Sequence, residues 1–290
     1  MKELIKKIRI FLNMSQTELA ELLNISFATV NRWENGRAVP NKLAQSALYE
    51  ICKANDVPVY DMVLDKIKAA TEAIKTDENR VVLYHGSKSG IKGIIEPKSR
   101  SKCDFGKGFY MGTEPAQALT LICDYDKSKF YIVSVAVDEL KMLDVPADSE
   151  WAMLVAFHRG RMDKMQGTPF YNKYRDMVYN KDIIVGSIAD DRMFYVIDNF
   201  FLGNITDAAL VNSLSALGLG KQYVAITQKA CDAVKIEREI ELSYLERQFM
   251  KDIAGANRTK GASLANEICR NYRREGMFFD ELLDAALRED

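Results

Sequence analysis

The hydrophobic pattern changes its period once, near Arg80, and that change constrains the fold more than any other feature. Before it, apolar residues recur at helical spacing. After it come short apolar runs rich in aromatic and β-branched residues, at 81–84, 130–137, 183–188 and 222–227, with helical stretches and turns between them. A helical unit followed by an α+β unit is the expected organisation. The 290 residues allow two or three domains.

Charge and cysteine usage exclude several classes. Lys plus Arg is 40 and Asp plus Glu is 41, so a nucleic-acid partner has to be held by a local patch. The 5 cysteines show no CxxC or CxxH spacing, which points to reduced thiols, with no disulfide framework and no metal site. The opening MKELIKKIRIFLNMSQ has no apolar core of signal-peptide type, and no run approaches a membrane span. A soluble, cytoplasmic protein with no membrane partner is expected.

In the helical unit, Leu4, Ile8 and Phe11 are expected on one face. Ser15 and Glu18 form a capping-box pattern that starts a second helix carrying Leu19, Ala20, Leu22 and Leu23. Asn24 suits a left-handed turn. Ser26 can cap a third helix that runs through Trp33, with Val30 and Trp33 facing the core and small Ala20 at a helix crossing.

The stretch MSQTELAELLNISFATVNRWENGRAVP resembles the lambda-repressor-like helix-turn-helix family, of xenobiotic-response-element type. The resemblance implies that the third helix enters the major groove of operator DNA. Ser26, Ala28, Thr29, Asn31 and Arg32 would then face base edges, and Gln16, Asn35 and Arg37 would touch phosphates. Residues 1–60 hold 8 basic and 6 acidic side chains, so non-specific affinity should be modest. One short helix reads few base pairs, so a homodimer is expected. Residues 57–79 read as a helix striped by Met62, Val63, Ile67, Ala70 and Ile74, serving as a last helix plus linker or as a dimer contact.

The α+β unit carries three further segments. LYHGS ends an apolar run with His85, Gly86 and Ser87. CDFGKGFYM sets Gly106 and Gly108 around Lys107, before Phe109 and Tyr110. KQYVAI places Gln222 in a strand entered from a glycine turn. The glycines suggest a backbone closely approached. Together the segments resemble the ADP-ribosyltransferase superfamily, in its diphtheria-toxin and poly(ADP-ribose) polymerase branch. The closest likeness is to a poorly characterised bacterial family, with DFGKGFY, IIVGSIADD and AITQKA also in character. The resemblance spans roughly 80–237 and implies a split β-sandwich that binds NAD as substrate.

By that resemblance, His85 would donate to the adenosine ribose, and the Gly86 backbone would meet the nicotinamide amide. Tyr110 would stack on the nicotinamide, and Gln222 would hold the ribose 2′-hydroxyl. Ser87 and Thr113 would border the cofactor. His85, Tyr110 and Gln222 are thus the expected catalytic set. The pattern departs in two places. Gln222 stands where the family has glutamate, which implies transfer of a single unit or none. Ala118 and Leu121 stand near the family's serine and second stacking tyrosine, with Thr113, Thr120 and Tyr125 as nearby substitutes. Gln228 is a weaker alternative to Gln222.

Asp190 and Asp191 are expected to cap a helix, and His158, beside Arg159 and Arg161, to be solvated at a helix end, with contact to NAD phosphates as the lesser alternative. The tail 238–290 reads as helical. A cap, an oligomer contact and a cover over the catalytic face would all look alike there. The expected layout is a helix-turn-helix domain at 1–58, a helical connector at 59–79, the α+β domain at 80–237 and a helical extension at 238–290. The expected activity is NAD-dependent mono-ADP-ribosyl transfer to a protein or nucleic-acid acceptor. A toxin or effector that regulates its own promoter, with a neutralising partner, would suit the fusion. The alternative is a regulator that only senses NAD or a related nucleotide, and NAD hydrolysis is a third outcome.

Overall fold

The computed structural model describes residues 1–188, 194–217 and 220–288. The N-terminal unit contains α1 (Lys2–Phe11), α2 (Gln16–Leu22), α3 (Phe27–Glu34), α4 (Lys42–Ala54) and α5 (Val59–Glu72). Ser15 and Glu18 form the expected capping box at α2, and the Ser26 side chain accepts from Thr29 N at α3. Asn24 takes φ 52°, the left-handed turn between these helices. Leu4, Ile5, Ile8, Leu19, Ala20, Val30 and Trp33 share one core. Phe11 does not join them: it is 49% exposed, and Ile5 fills the face instead. On α1, Ile8 lies between Leu4 and Ile5 on the packed arc, and Phe11 falls just outside it beyond Leu4.

After Arg80 the chain builds one mixed seven-stranded sheet in the order β4-β5-β6-β2-β1-β3-β7. Its strands are β1 (Arg80–Ser87), β2 (Phe109–Gly112), β3 (Lys129–Ala136), β4 (Met142–Asp144), β5 (Ile183–Ser187), β6 (Lys221–Ala225) and β7 (Val234–Ile240). All four apolar runs become strands. The sheet is narrowest in its middle, where β1 and β2 share the single register pair Tyr84↔Gly112. By contrast β1 and β3 stay in register from Arg80↔Ala136 to Ser87↔Lys129. Strand β7 extends to Ile240, through the expected boundary at 237.

Helices cover the sheet. Pro115 opens α6 (Pro115–Ile122), which packs with α5 through Ala118, Leu119, Ile122, Val63 and Ile67. On the other half lie α7 (Ser149–His158), α8 (Pro169–Met177), α9 (Phe194–Phe201) and α10 (Asp207–Leu217), around Trp151, Phe200 and Val224. A short α11 (Gln228–Asp232) precedes β7. The tail forms α12 (Tyr244–Asn271) and α13 (Phe279–Arg288). Phe279 of α13 sits in the core against Phe200 and Phe201, so the tail is part of the fold. The expected helix cap at Asp190 and Asp191, and the first residues of the glycine turn before β6, lie outside the described residues. The five cysteines are unpaired. Among the described residues no helix is long and apolar enough to cross a membrane.

Candidate functional site

The first candidate site is the outer face of α3. Ser26, Phe27, Ala28, Arg32, Asn35 and Arg37 are exposed, and Thr29 and Asn31 are half-buried. An extended N-cap directs the first turn outward, where base edges can be read. Gln16 is not free for a phosphate in this state. Its Nε2 donates to Glu34 Oε2 at 2.7 Å, and its Oε1 accepts from Asn31 Nδ2 at 3.0 Å. Arg9 closes the network on Glu34 at 2.6 Å. Burial pushes the Glu34 carboxyl up, but hydrogen bonds from Arg9 and Gln16 outweigh it and hold it below its usual value. Gln16 therefore orients Asn31, which itself accepts from Asn35 Nδ2 at 3.1 Å. Sequence reasoning misses Phe27, which is 51% exposed beside Ala28. An aromatic side chain at the first position of a helix that should face water is its signal.

The second candidate site lies where β6, β2 and β1 run side by side. Their segments are far apart in the chain, yet Gly112 pairs with Gln222 on one side and Tyr84 on the other. Side chains alternate across a strand. Tyr110, Gly112 and Gln222 thus share one face, with Tyr84 and Gly86. His85 belongs to the opposite face: its ring stacks on Phe109 at 4.2 Å and tilts against Tyr131 at 6.2 Å. The structure brings Tyr110 and Gln222 to one face and leaves the imidazole on the other.

His85 still bears on β2. Its Nδ1 lies 2.7 Å from the Tyr110 carbonyl, which can only accept, so Nδ1 carries the proton. Burial lowers the His85 pKa and favours the neutral ring. Nε2 is then an acceptor, and the donor role expected for it is taken by Nδ1. Beyond Tyr84 no register pair joins β1 to β2, and this imidazole spans the parting strands.

Tyr110 is anchored through its hydroxyl, which donates to Gly106 O at 2.8 Å and accepts from Phe105 N at 3.1 Å. Burial raises its pKa, so it stays protonated. Gln222 is 4% exposed. Its Nε2 donates to Ser187 O at 3.0 Å and approaches Asp104 Oδ2 at 3.4 Å. Because both partners accept, Oε1 is the amide atom left to accept from a ligand. Thr113 clips β2 to β6: its N donates to Lys221 O at 2.9 Å, and its Oγ1 accepts from Lys221 N at 3.0 Å. Ser87 is half-buried at the end of β1, paired with Lys129. Thr120 is turned back onto Ala116 O at 3.0 Å. Tyr125 is 39% exposed, with Lys88 Nζ 4.5 Å from its ring centroid. Gln228 bonds Ile95 O at 2.9 Å and Asp232 at 2.8 Å, away from Gln222.

The glycines of DFGKG are closely approached, as expected, but by the protein itself. A Cβ on Gly106 would lie 2.8 Å from His158 Nδ1, and one on Gly108 would lie 2.4 Å from Val224 Cγ1. His158 is therefore not solvated: the loop folds over the end of α7 and buries its Nε2 without a hydrogen-bond partner. Burial pushes its pKa down to about 4. Asp104, inside the same motif, also escapes sequence reasoning. Its Oδ1 accepts from Arg159 Nη2 at 2.6 Å and Nε at 3.1 Å, while Oδ2 faces Gln222. A carboxylate among apolar and glycine neighbours is the available signal.

These features define a helix-turn-helix protein whose DNA-reading unit is joined to a mixed α+β sheet. Residues 81–236, more than half the chain, match the family described as protein of unknown function (DUF3990), and the protein belongs to it. Residues 5–61 match the helix-turn-helix family, which supports DNA binding and transcription regulation. No curated protein and no solved structure matches the chain.

Proposed function

We propose that this protein is a DNA-binding mono-ADP-ribosyltransferase with NAD as its substrate. The observation that carries the reading is the adjacency of β6, β2 and β1. Three segments that suggest one chemistry lie side by side, and the sheet parts beside Gly86. An extended dinucleotide would lie along the Tyr110–Gln222 face. Gln222 Oε1 would accept from the ribose 2′-hydroxyl, and His85, on the opposite face, would hold β1 to β2 through the Tyr110 carbonyl. The bond from nicotinamide nitrogen to ribose breaks with its electron pair leaving on nicotinamide. A nucleophile of the acceptor then bonds the ribose carbon and releases its proton. The protein's part is positioning and charge stabilisation.

The test is incubation with labelled NAD and cell extract. Labelled protein or nucleic acid is expected, with transfer lost in Gln222→Ala and in Tyr110→Ala. Tyr110 also anchors a loop, so melting temperatures accompany both variants. Transfer at the normal rate by folded Gln222→Ala would refute the assignment.

A second reading is favoured by glutamine in the family's glutamate position: a regulator that senses NAD or a related nucleotide without turning it over. It predicts tight NAD binding, no free nicotinamide and an operator affinity that changes with ligand. Hydrolysis alone would yield free ADP-ribose and no labelled macromolecule. The wider reading includes a homodimer on operator DNA, action in the cytoplasm and a neutralising partner for a toxic activity.

A further inference from the structure

A cavity of about 440 Å³ opens between the 98–107 loop and the C-terminal end of α7, lined by Arg100, Lys102, Arg159, Gly160 and Arg161. We infer that it binds the phosphate groups of a nucleotide or of a nucleic-acid backbone. Four cations meet there in a chain whose net charge is −1. Asp104 engages Arg159 at 2.6 Å, and Asp198 stands 3.9 Å from Arg161, at the limit of pairing. Arg100 and Lys102 are exposed and pair with no carboxylate among the described residues. Like charges gathered in one concavity repel each other and raise the local concentration of anions.

The helix dipole does not account for the cluster. Arg159 and Arg161 complement the negative end of α7, as basic residues often do. Arg100 and Lys102 come from the facing loop and line the cavity from the other side. Guanidinium forks and a flexible ammonium are the side chains that grip phosphate oxygens. The volume lies within the range of small-ligand sites, large enough for a phosphate with its sugar. Arg161 is steadied by the Phe201 ring, with its Cζ 5.5 Å from the centroid. Through Asp104, which touches Arg159 and Gln222, the cavity lies two contacts from Gln222. The inference does not require NAD turnover.

The full-length protein is titrated with pyrophosphate, ADP-ribose and a single-stranded oligonucleotide at two salt concentrations. At least one should bind, with affinity falling as salt rises. Arg100→Ala/Lys102→Ala should weaken that binding at least tenfold without changing the melting temperature of the unliganded protein. Lys102→Glu should do the same. Lys75→Ala/Lys260→Ala, two exposed lysines away from the cavity, should leave it intact. Binding of pyrophosphate and ADP-ribose identifies a free nucleotide, and binding of the oligonucleotide alone identifies a nucleic acid. If nothing binds, or if both cavity variants bind as tightly as the parent protein, the inference is overturned.

Discussion

Gly86 shows how little room a single position has. A Cβ there would sit 2.6 Å from Ala118 O and 2.7 Å from Ile122 Cγ2, so helix α6 rests directly on the strand. The obstructing carbonyl is backbone and cannot rotate away. Gly86→Ala should therefore destabilise the protein by about 1–3 kcal/mol, the usual cost of overpacking, read as a lower denaturation midpoint. His158 makes a pH-dependent case. Its folded pKa of about 4 lies below the ordinary 6.5, so the unfolded chain takes up the proton first as pH falls. Its contribution is complete above pH 6.5 and is lost between 6.5 and about 4. The loss is at most about 3 kcal/mol. His158→Gln should flatten the stability profile in that window, measured by urea denaturation at several pH values. An unchanged slope would mean that the imidazole is hydrated.

At the scale of elements, α3 is held by the Arg9–Glu34–Gln16–Asn31 network as well as by its apolar face. The Arg9 and Glu34 side chains are 16% and 5% exposed. Arg9→Ala leaves a buried carboxylate without its cation, and should cost about 3 kcal/mol at neutral pH. Glu34 titrates below its usual value, so the pair stabilises above the unfolded carboxylate pKa and fades as pH falls through the folded one. The Arg9→Ala penalty should therefore shrink at pH 3, measured by thermal melting at both pH values. The elements were unevenly legible in the sequence. Strands β1, β3, β5 and β6 announce themselves because both their faces are covered by apolar residues. Strand β7, read VKIEREI, lies at a sheet edge and alternates charges outward, a pattern that looks like a charged helix. Strand β4 has three residues and carries no period. The placement of His85 on the face opposite Tyr110 was not legible: alternation from Tyr84 fixes it only once the register is known, and the register is non-local. The basic cavity was hidden for the same reason: Arg100 and Arg161 meet only after the loop folds over α7.

The whole molecule is joined by α12, whose sequence gives little hint of that role. Ser243 and Glu246 form a capping box, a signal present in SYLE. The first turns of the helix pack on the DNA-reading unit, some 200 residues earlier in the chain. Leu245 is fully buried in the helix-turn-helix core, and its N donates to Gln45 Oε1 at 3.0 Å. Phe249 meets Tyr49 edge-on at 5.1 Å, and Tyr49 donates to Asp252 at 2.7 Å. Lys66 of α5 reaches the buried Glu246 at 3.0 Å. Farther along, α12 contacts α6, α9 and α10 of the sheet unit. A boundary drawn after residue 58 thus leaves two buried side chains of the first core, Val59 and Leu245, on its far side. Leu245→Ala opens a cavity in that core and should cost about 2–5 kcal/mol. The loss should fall on the N-terminal unit although the substitution lies in the tail. Amide exchange would show this as faster opening of α1, α3 and α4, and operator affinity should weaken in step. If exchange accelerates only within the sheet domain, α12 does not couple the two units.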